Sequence, residues 1–412
     1  MRMKKRIFIS MHYLELGGAE AALIGMLQAM DYTRYDVDLF LHSHQGEMMQ
    51  FIPKDVNLLP EIKEYAHIEC PMKQALLDGC WGVLYGRLKA KWLTRRYKHK
   101  KGISESAAGL QYVAKCVSPF LPRLHDYGEY DLAISFLHPH NYVLSKVKAK
   151  KKICWIHTDY SKIDINTELE LPIWSAYDRI ISISSEASKT FLKVFPSLDN
   201  KVVVMENILS PEFVRQRAKL IAIEEVAKEM PKEEGVINLL SVGRFCEAKN
   251  YDNVPDICKR VNSQLPSFKS QLSVRWYLIG WGNDESLIRN KIEEAGMKDS
   301  VFLLGKKDNP YPYIKACDIY CQPSRYEGKS VTVREAQVLC RPVVVTNYAT
   351  AKSQVQNGTD GVIVPIDNEE CARGIADFIS NIELQASIVK YLQQHDYGNM
   401  TEIKKISKLC DE

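Results

Sequence analysis

The sequence has no long apolar run, little net charge and no cysteine framework. No apolar stretch approaches the ~20 residues that a membrane-spanning helix needs, so we expect no spanning segment. A net charge of +4 gives no reason to expect a nucleic-acid partner. The eleven cysteines are odd in number and lack disulfide-framework spacing, which is typical of reduced thiols in the cytoplasm.

Complete cofactor and metal motifs are also missing. Gly280-Trp281-Gly282-Asn283 is a bare Gly-x-Gly without the rest of a dinucleotide fingerprint, so we do not predict NAD binding. Cys317 and Cys321 have no second ligand pair nearby, and we interpret them as core residues rather than zinc ligands.

What the chain does have is length and a repeated strand–loop–helix pattern. A chain of 412 residues with 46% hydrophobic residues is too long for one ordinary core and suggests two domains. Short β-type runs that end in polar loops and lead into helices predict the α/β class, with doubly wound, Rossmann-like sheets. Residues 209–235 lose β character, contain two prolines and are rich in charge, so we place the domain connection there.

One stretch of the second half has the features of a phosphate-binding turn. Ile319 to Ser324 reads as a strand, a polar loop with Gly328 follows, and Ser330 is positioned to cap a helix over Val331 to Leu339. A helix start offers unpaired N–H groups and the positive end of a dipole to a phosphate. Glu327 lies in the loop and Glu335 about two turns along the helix, so the two carboxylates can reach different parts of one ligand.

A second strand end carries two cations. The predicted strand Val236 to Gly243 runs into Arg244 and, five residues later, Lys249. Arginine offers a fixed fork of donors and lysine a point charge, which together suit a diphosphate.

These segments resemble a known family in the order in which they occur. Pro323-Ser324-x-x-Glu327-Gly328 followed by Glu335, the Gly243-Arg244-(four)-Lys249 loop, and an early Gly17-Gly18-Ala19-Glu20 loop are similar to the signature of retaining glycosyltransferases of family 4. The resemblance implies the GT-B architecture, in which two Rossmann-like domains face a cleft. It implies an acceptor-binding domain at 1–208, a nucleotide-sugar-binding domain at 209–385, and a segment at 386–412 that returns to the first domain.

The resemblance also assigns roles to residues. It implies that Arg244 and Lys249 neutralise the leaving diphosphate, that Glu327 binds the donor sugar and Glu335 the ribose, and that His157 lies near the donor sugar. Backbone N–H groups would assist at the residues around the helix start: Lys329, Ser330, Val331 and Thr332. Gly17 and Gly18, which alone read as a plain turn, become part of a loop facing the cleft.

The expected activity is metal-independent, retaining sugar transfer from a nucleotide-diphosphate sugar. The acceptor would be a glycan or lipid-linked, in capsule, exopolysaccharide or O-antigen synthesis. No bound cofactor or metal is expected. The Asp-x-Asp motif Asp36-Val37-Asp38, which could hold a metal on the diphosphate, falls inside a predicted strand and not at a strand end. Lys329-Ser330 stands where many relatives have an aromatic and a small residue, which leaves the donor sugar open. Two alternatives remain: a GT-B-fold nucleotide-sugar epimerase, and a non-catalytic sugar-nucleotide-binding subunit.

Residues 81–101 form a predicted amphipathic helix with two open interpretations. Apolar residues recur at helical spacing among eight basic ones: Arg87, Lys89, Lys91, Arg95, Arg96, Lys98, Lys100 and Lys101. A tryptophan-bearing basic helix is typical of a segment lying on an anionic membrane, here the inner face of the plasma membrane. The other interpretation is a helix packed on its own domain with a solvated basic face. The family resemblance inclines us to the membrane.

Overall fold

The computed structural model describes residues 4–15, 17–103, 106–158, 160–161, 163–265, 272–327 and 330–411. The chain divides into two compact units, the first made of residues up to Ile208 and from Asn399 onwards, the second of Leu209–Gly398. Each unit is built on a parallel sheet with helices, which confirms the predicted α/β class. None of the helices in the described ranges is both long and apolar enough to cross a membrane.

The first unit contains a seven-stranded parallel sheet. Its strands are β1 (Lys5–Met11), β2 (Tyr35–Leu41), β3 (Asn57–Leu58), β4 (Glu129–Ser135), β5 (Lys148–Ile156), β6 (Arg179–Ser182) and β7 (Val202–Val204). They lie side by side in the order β3-β2-β1-β4-β5-β6-β7. The central strand β1 has a continuous apolar run, Ile7 to Ile9, that is fully buried, as expected for a parallel strand covered on both faces.

Helices cover this sheet. They are α1 (Gly18–Ala29), α2 (Lys63–Ala66), α3 (Met72–Leu77), α4 (Trp81–Lys101), α5 (Ala108–Val117), α6 (Asn141–Lys146), α7 (Thr167–Ala176) and α8 (Ser185–Val194). Short 3₁₀ turns occur at Glu47–Phe51, Ser118–Phe120, His125–Tyr127, Pro196–Lys201 and Met400–Glu402.

The second unit repeats this plan with six parallel strands. They are β8 (Val236–Val242), β9 (Ser273–Ile279), β10 (Val301–Gly305), β11 (Ile319–Gln322), β12 (Val343–Thr346) and β13 (Val362–Val364). Their order is β10-β9-β8-β11-β12-β13, and β8 pairs with β9 along its whole length, from Val236 opposite Ser273 to Val242 opposite Ile279.

The helices of the second unit follow in sequence. They are α9 (Pro211–Arg217), α10 (Ile223–Glu229), α11 (Val254–Gln264), α12 (Glu285–Ala295), α13 (Tyr311–Ala316), α14 (Val331–Val338), α15 (Asn368–Ser380) and α16 (Ile382–Gln394), with 3₁₀ turns at Glu247–Lys249 and Ala351–Ser353.

The last helix, α17 (Ile403–Asp411), belongs to the first unit. Lys5 Nζ donates to the carbonyl oxygen of Cys410 at 2.9 Å, and the carboxylate of Asp411 pairs with both Lys5 and Arg34. Residues 386–398, which we had placed with the returning segment, instead group with the second unit, and the first unit regains the chain from Asn399.

The strand order locates the ligand-binding edge of each sheet. In the second sheet the chain first builds outwards from β8 to β10 and then crosses back to place β11 on the other side of β8. The crevice outside the carboxyl ends of such a strand pair is where open α/β sheets bind ligands. The same reversal occurs between β1 and β4 of the first sheet.

Candidate active site

A pocket of about 470 Å³ lies at this reversal point of the second sheet. It is formed by the loops that follow β8, β9, β10 and β11 together with the start of α14. The lining residues are Val242, Gly243, Arg244, Cys246, Lys249, Ile279, Gly280, Trp281, Lys306, Lys307, Glu327, Ser330, Val331 and Thr332. The pocket therefore contains both cations and the first of the two glutamates that the sequence singled out.

Glycines allow the walls of this pocket to pack backbone against backbone. A Cβ atom on Gly280 would lie 1.8 Å from the carbonyl oxygen of Gly243, and one on Gly282 would lie 2.1 Å from that of Phe245. Only glycine permits such close approach of two main chains. The Gly-x-Gly that is too short for a dinucleotide fingerprint thus has a structural reason: it joins the β9 loop to the β8 loop.

Lys249 and Glu327 form an ion pair inside the pocket. Lys249 Nζ donates to Glu327 Oε1, and the two side chains are 18% and 11% exposed. The same carboxylate oxygen accepts from Ser324 Oγ at 2.8 Å and from Gln322 Nε2 at 3.2 Å. Both of these partners lie at the buried end of β11, so they hold the Glu327 carboxylate against the strand end and the carboxylate in turn holds the lysine.

Arg244 differs from Lys249 in having no protein partner. Its side chain is exposed at the pocket, and within the described ranges it makes no hydrogen bond or ion pair. Its five donors are therefore available to an anionic ligand.

The start of α14 is held by a glutamine from the loop after β12. Ser330 N–H donates to Gln354 Oε1 at 2.9 Å, and Gln354 Nε2 donates back to the Ser330 carbonyl oxygen at 2.9 Å. Ser330 occupies the N-cap position as predicted, but its side chain makes no capping bond and its Oγ lies 3.1 Å from Thr332 Oγ1. The Ser330 N–H, which we expected to face a phosphate, is thus already engaged.

The other N–H groups predicted here divide into two cases. Those of Val331 and Thr332 belong to the first helical turn, where no intrahelical acceptor exists, and both residues line the pocket. Lys329, together with Gly328, lies outside the described residues.

A family model matches the part of the chain that contains this site. Residues 222–395 match the family model described as glycosyl transferases group 1. The match covers most of the second unit, which we call the group 1 domain. The pocket just described lies within the matched residues.

The chain spans about half the length of the curated relatives that it matches. An uncharacterized glycosyltransferase of Haemophilus influenzae is 25% identical over 57% of this chain and 60% of its own. A Campylobacter jejuni enzyme, N-acetylgalactosamine-N,N'-diacetylbacillosaminyl-diphospho-undecaprenol 4-alpha-N-acetylgalactosaminyltransferase, is 24% identical over 50% of this chain and 51% of its own. The lipopolysaccharide core biosynthesis glycosyltransferase LpsE of Rhizobium meliloti is 23% identical over 42% and 47%.

Solved structures extend the likeness over the whole chain. Anabaena HepE, crystallised with UDP and glucose, superposes with a TM-score of 0.59 at 15% identity and covers 99% of this chain and 100% of its own. S. aureus TarM, in a complex that includes UDP, gives a TM-score of 0.61 at 14% identity with the same coverage. At such low identity the likeness shows the fold, which is the expected GT-B fold.

Glu335 is the second of the two glutamates that the sequence singles out. It is buried beside the elements that form the pocket, but it does not line the pocket. Its side chain on α14 is 8% exposed, and Oε1 accepts from the hydroxyl of Tyr311 at 2.7 Å. Burial raises the pKa of Glu335 to about 7, against the opposing effects of the Tyr311 hydrogen bond and the charge of Arg217. Its role at the ribose stays a prediction.

Residues that we did not predict add positive charge to the group 1 domain's pocket. Lys306 and Lys307 line it directly after β10; Lys306 Nζ lies 5.3 Å from the ring centre of Trp281, and Lys307 pairs with Glu229 at 2.7 Å. The signal was available in the sequence, because both lysines immediately follow Val301 to Gly305, a short apolar run ended by glycine that predicts a strand.

Three predicted site residues belong to the first unit and not to the group 1 domain. Gly17 precedes α1 and Gly18 begins it; a Cβ atom on Gly17 would lie 2.2 Å from Glu20 Oε2, whereas one on Gly18 would meet nothing within 4 Å. His157 follows β5, half-buried, with its ring 4.9 Å from that of Phe136. Burial lowers the pKa of His157 to about 4, so this imidazole is neutral near pH 7.

Proposed function

We propose that this protein is a retaining glycosyltransferase that moves a sugar from a nucleotide-diphosphate sugar to a glycan or lipid-linked acceptor. One observation carries the proposal: the strand-end pocket of the group 1 domain brings Arg244, Lys249, Glu327 and the first turn of α14 together. The combination offers cations for a diphosphate and a carboxylate for sugar hydroxyls at one place.

The chemistry requires charge stabilisation on the leaving group. When the bond between the anomeric carbon and the diphosphate oxygen breaks, negative charge grows on the nucleoside diphosphate. Arg244 supplies a fork of donors, Lys249 a point charge, and Val331 and Thr332 backbone N–H groups. Donors that are already in position stabilise such charge without reorganising during the reaction. We propose that these groups act without a divalent metal.

The Lys249–Glu327 pair suggests how the donor is engaged. In this structure the two side chains form an ion pair, in which each neutralises the charge of the other. An arriving diphosphate gives Lys249 a second anionic partner, which leaves more of the Glu327 carboxylate to accept from a hydroxyl of the donor sugar. Ser324 and Gln322 keep that carboxylate in place while its lysine partner turns to the phosphate.

The acceptor class is proposed from the relatives. Their names place one in lipopolysaccharide core biosynthesis, one in amylovoran biosynthesis of Erwinia amylovora, and one on a diphospho-undecaprenol-linked sugar. These are cell-surface glycans or their lipid-linked precursors. We therefore propose an acceptor in capsule, exopolysaccharide or O-antigen assembly.

The deciding experiment has two stages. A thermal-shift screen of nucleotide sugars first identifies the donor, because a ligand that binds the folded state raises apparent stability. Release of nucleoside diphosphate is then measured with and without candidate acceptors. A glycosyltransferase releases it in an acceptor-dependent way. Conversion of the donor to its epimer without acceptor would contradict transfer, as would tight donor binding with no turnover on any acceptor.

Metal independence is tested with the matched donor and acceptor. We expect turnover to continue in excess EDTA, because four cationic side chains line the pocket. Activity that EDTA abolishes and Mg²⁺ restores would refute this part of the proposal.

A further inference from the structure

Helix α4 turns its large aromatic side chains outwards. Trp81, Tyr85, Leu88 and Trp92 are 64%, 59%, 51% and 57% exposed. At about 100° per residue, these four positions fall on one narrow stripe along the helix. We call this set the outer stripe.

The opposite side of α4 makes its contact with the rest of the first unit. Val83, Gly86 and Ala90 are its buried residues, and a Cβ atom on Gly86 would lie 2.7 Å from the carbonyl oxygen of Cys116 on α5. Small residues thus let α4 pack closely on α5. The packed-helix interpretation placed the apolar stripe against the domain. In the structure the stripe is mostly exposed, although the ring of Tyr85 meets that of the exposed Phe120 with centres 5.9 Å apart.

Cations flank the outer stripe on both sides. On one side Arg87, Lys91, Arg95 and Lys98 line a groove of about 500 Å³. On the other side, by helical spacing, lie Lys89, Arg96 and Lys100, all exposed. The helix contains no Asp or Glu, so the face carries charge of one sign around an aromatic centre.

The groove has the form of a site for an anionic head group. Besides the four cations it is lined by Met72, Thr94, Gly109 and Val113. Arg87 is fixed by a hydrogen bond to the carbonyl oxygen of His67 at 3.0 Å, whereas Lys91, Arg95 and Lys98 make no side-chain bond or ion pair to any described residue. The neighbouring helix α3 adds exposed Leu76 and Leu77.

We propose that the outer face of α4 docks on an anionic phospholipid bilayer, with the outer stripe in the interfacial region and lipid phosphates in the Arg87–Lys98 groove. Tryptophan and tyrosine favour the membrane–water interface. Basic residues beside a buried apolar face are attracted to anionic lipids. The charge pattern indicates the occupant. Seven cations flank the outer stripe on a helix that contains no Asp or Glu, and this face complements a negative surface.

The test measures sedimentation of the full chain with vesicles, and needs neither donor nor acceptor. We expect binding to vesicles of equal parts phosphatidylcholine and phosphatidylglycerol, and little binding to phosphatidylcholine alone. Binding should fall as salt rises, because salt screens exposed charges beyond about 10 Å at 0.1 M. Since a cation near an anionic surface contributes about fivefold to partitioning, Lys91→Glu/Arg95→Glu/Lys98→Glu should lower it by about 100-fold or more.

A matched control separates the face from overall charge. Lys54→Glu/Lys189→Glu/Lys193→Glu makes the same charge change at exposed positions elsewhere in the first unit and should bind nearly as wild type. Trp81→Ser/Trp92→Ser should lose binding while keeping the wild-type circular dichroism and Tm, because both side chains are exposed.

Three results would overturn the proposal. The first is an equal loss of vesicle binding in the two charge-reversal variants, and the second is undiminished vesicle binding by Trp81→Ser/Trp92→Ser. The third is a wild type that does not bind vesicles and forms a dimer in solution, with Trp81→Ser/Trp92→Ser monomeric. The last result would show that a second copy covers the stripe. None of them bears on acceptor-dependent release of nucleoside diphosphate, so this inference and the proposed function fail separately.

Discussion

The two sheets share a strand order but carry opposite chemistry at their carboxyl ends. In the second unit the pocket has four cations and one carboxylate: Arg244, Lys249, Lys306, Lys307 and Glu327. In the first unit a pocket of similar size, about 510 Å³, follows β1 and β2. None of the described residues that line it is Lys or Arg, and its histidine and acidic residues are His12, Glu15, His42, Glu61, His67, Glu69 and Asp78.

The first pocket is built from hydrogen-bonded and stacked side chains. His12 Nδ1 lies 2.8 Å from Glu69 Oε1, and the rings of His12 and His42 stack with centres 4.9 Å apart. Burial holds the pKa of His42 well below its usual value. Burial alone would raise the pKa of Glu69, but its hydrogen bond to His12 keeps that pKa low. Such a surface suits neutral, hydroxyl-rich groups and disfavours phosphate.

The comparison teaches that topology places a site and side chains decide its ligand. The same reversal of strand order produces a crevice in both units. Only in the second does the loop chemistry match a diphosphate. The predictions below each aim to break or sharpen this contrast.

The largest expected effect is on turnover. Arg244→Ala should lower kcat by about 10²–10³, the usual loss when one prepositioned donor to transition-state charge is removed. Because Arg244 is exposed and pairs with none of the residues that the structure describes, the variant should keep the wild-type Tm. Near-wild-type turnover would mean that the diphosphate site has to be sought elsewhere.

The Lys249–Glu327 pair of the second unit's pocket should contribute to the stability of the fold. Lys249→Met leaves a mostly buried carboxylate without its cation and should cost about 2 kcal/mol, less than the roughly 3–5 kcal/mol of a fully buried pair. Adding Glu327→Gln should restore most of this stability but no activity. Urea unfolding of the single and double variants measures it; a double variant as unstable as the single one would contradict the pairing.

Glu335 and Glu327 should separate binding from turnover. If Glu335 reaches the ribose, Glu335→Ala should weaken binding of free nucleoside diphosphate by about 10- to 100-fold, the value of a hydrogen bond to a charged group. Glu327→Ala should mainly lower turnover and leave that affinity nearly unchanged. Equal affinities of wild type and Glu335→Ala would remove Glu335 from the site.

Glu335 should also make the stability of the protein depend on pH. Because burial raises its pKa from 4.5 to about 7, the folded state holds a proton that the unfolded state has lost in this range. Its contribution to stability therefore falls as pH rises from about 4.5 through about 7. Relative to wild type, Glu335→Gln should gain about 1–3 kcal/mol between pH 4.5 and 8. A difference that is constant with pH would show that the carboxyl is not protonated at neutral pH.

The elements that the sequence predicts best are those with uninterrupted patterns. The long helical period of residues 81–101 predicts a helix with the bounds of α4, and the short apolar run from Val301, ended by Gly305, predicts a strand with the bounds of β10. The sequence predicts the first helix over Ala21 to Met30, but α1 begins at Gly18, because a glycine gives no sign of a helix start. Residues 44–70, which carry no clear period, contain a 3₁₀ turn, the two-residue strand β3 and the one-turn helix α2.

The site was predictable where it lies at strand ends and not where it depends on tertiary contacts. Arg244, Lys249 and Glu327 meet because two neighbouring strands, β8 and β11, end at one edge. Two contacts that shape the site join residues 24 positions apart in the sequence. The Ser330 N–H donates to Gln354, and Glu335 is buried against Tyr311. No local pattern encodes these contacts. The outward direction of the α4 stripe likewise depends on how closely Gly86 lets α5 approach.

The central claim is that the cationic pocket of the second unit, and not the histidine-rich pocket of the first, binds the diphosphate. Calorimetric titration of the nucleoside diphosphate of the identified donor into wild type, Arg244→Ala and His12→Gln tests it directly. We expect at least a tenfold weaker Kd for Arg244→Ala, the scale of one lost charge-assisted hydrogen bond, and an unchanged Kd for His12→Gln. An unchanged Kd for Arg244→Ala together with a weakened one for His12→Gln would contradict it.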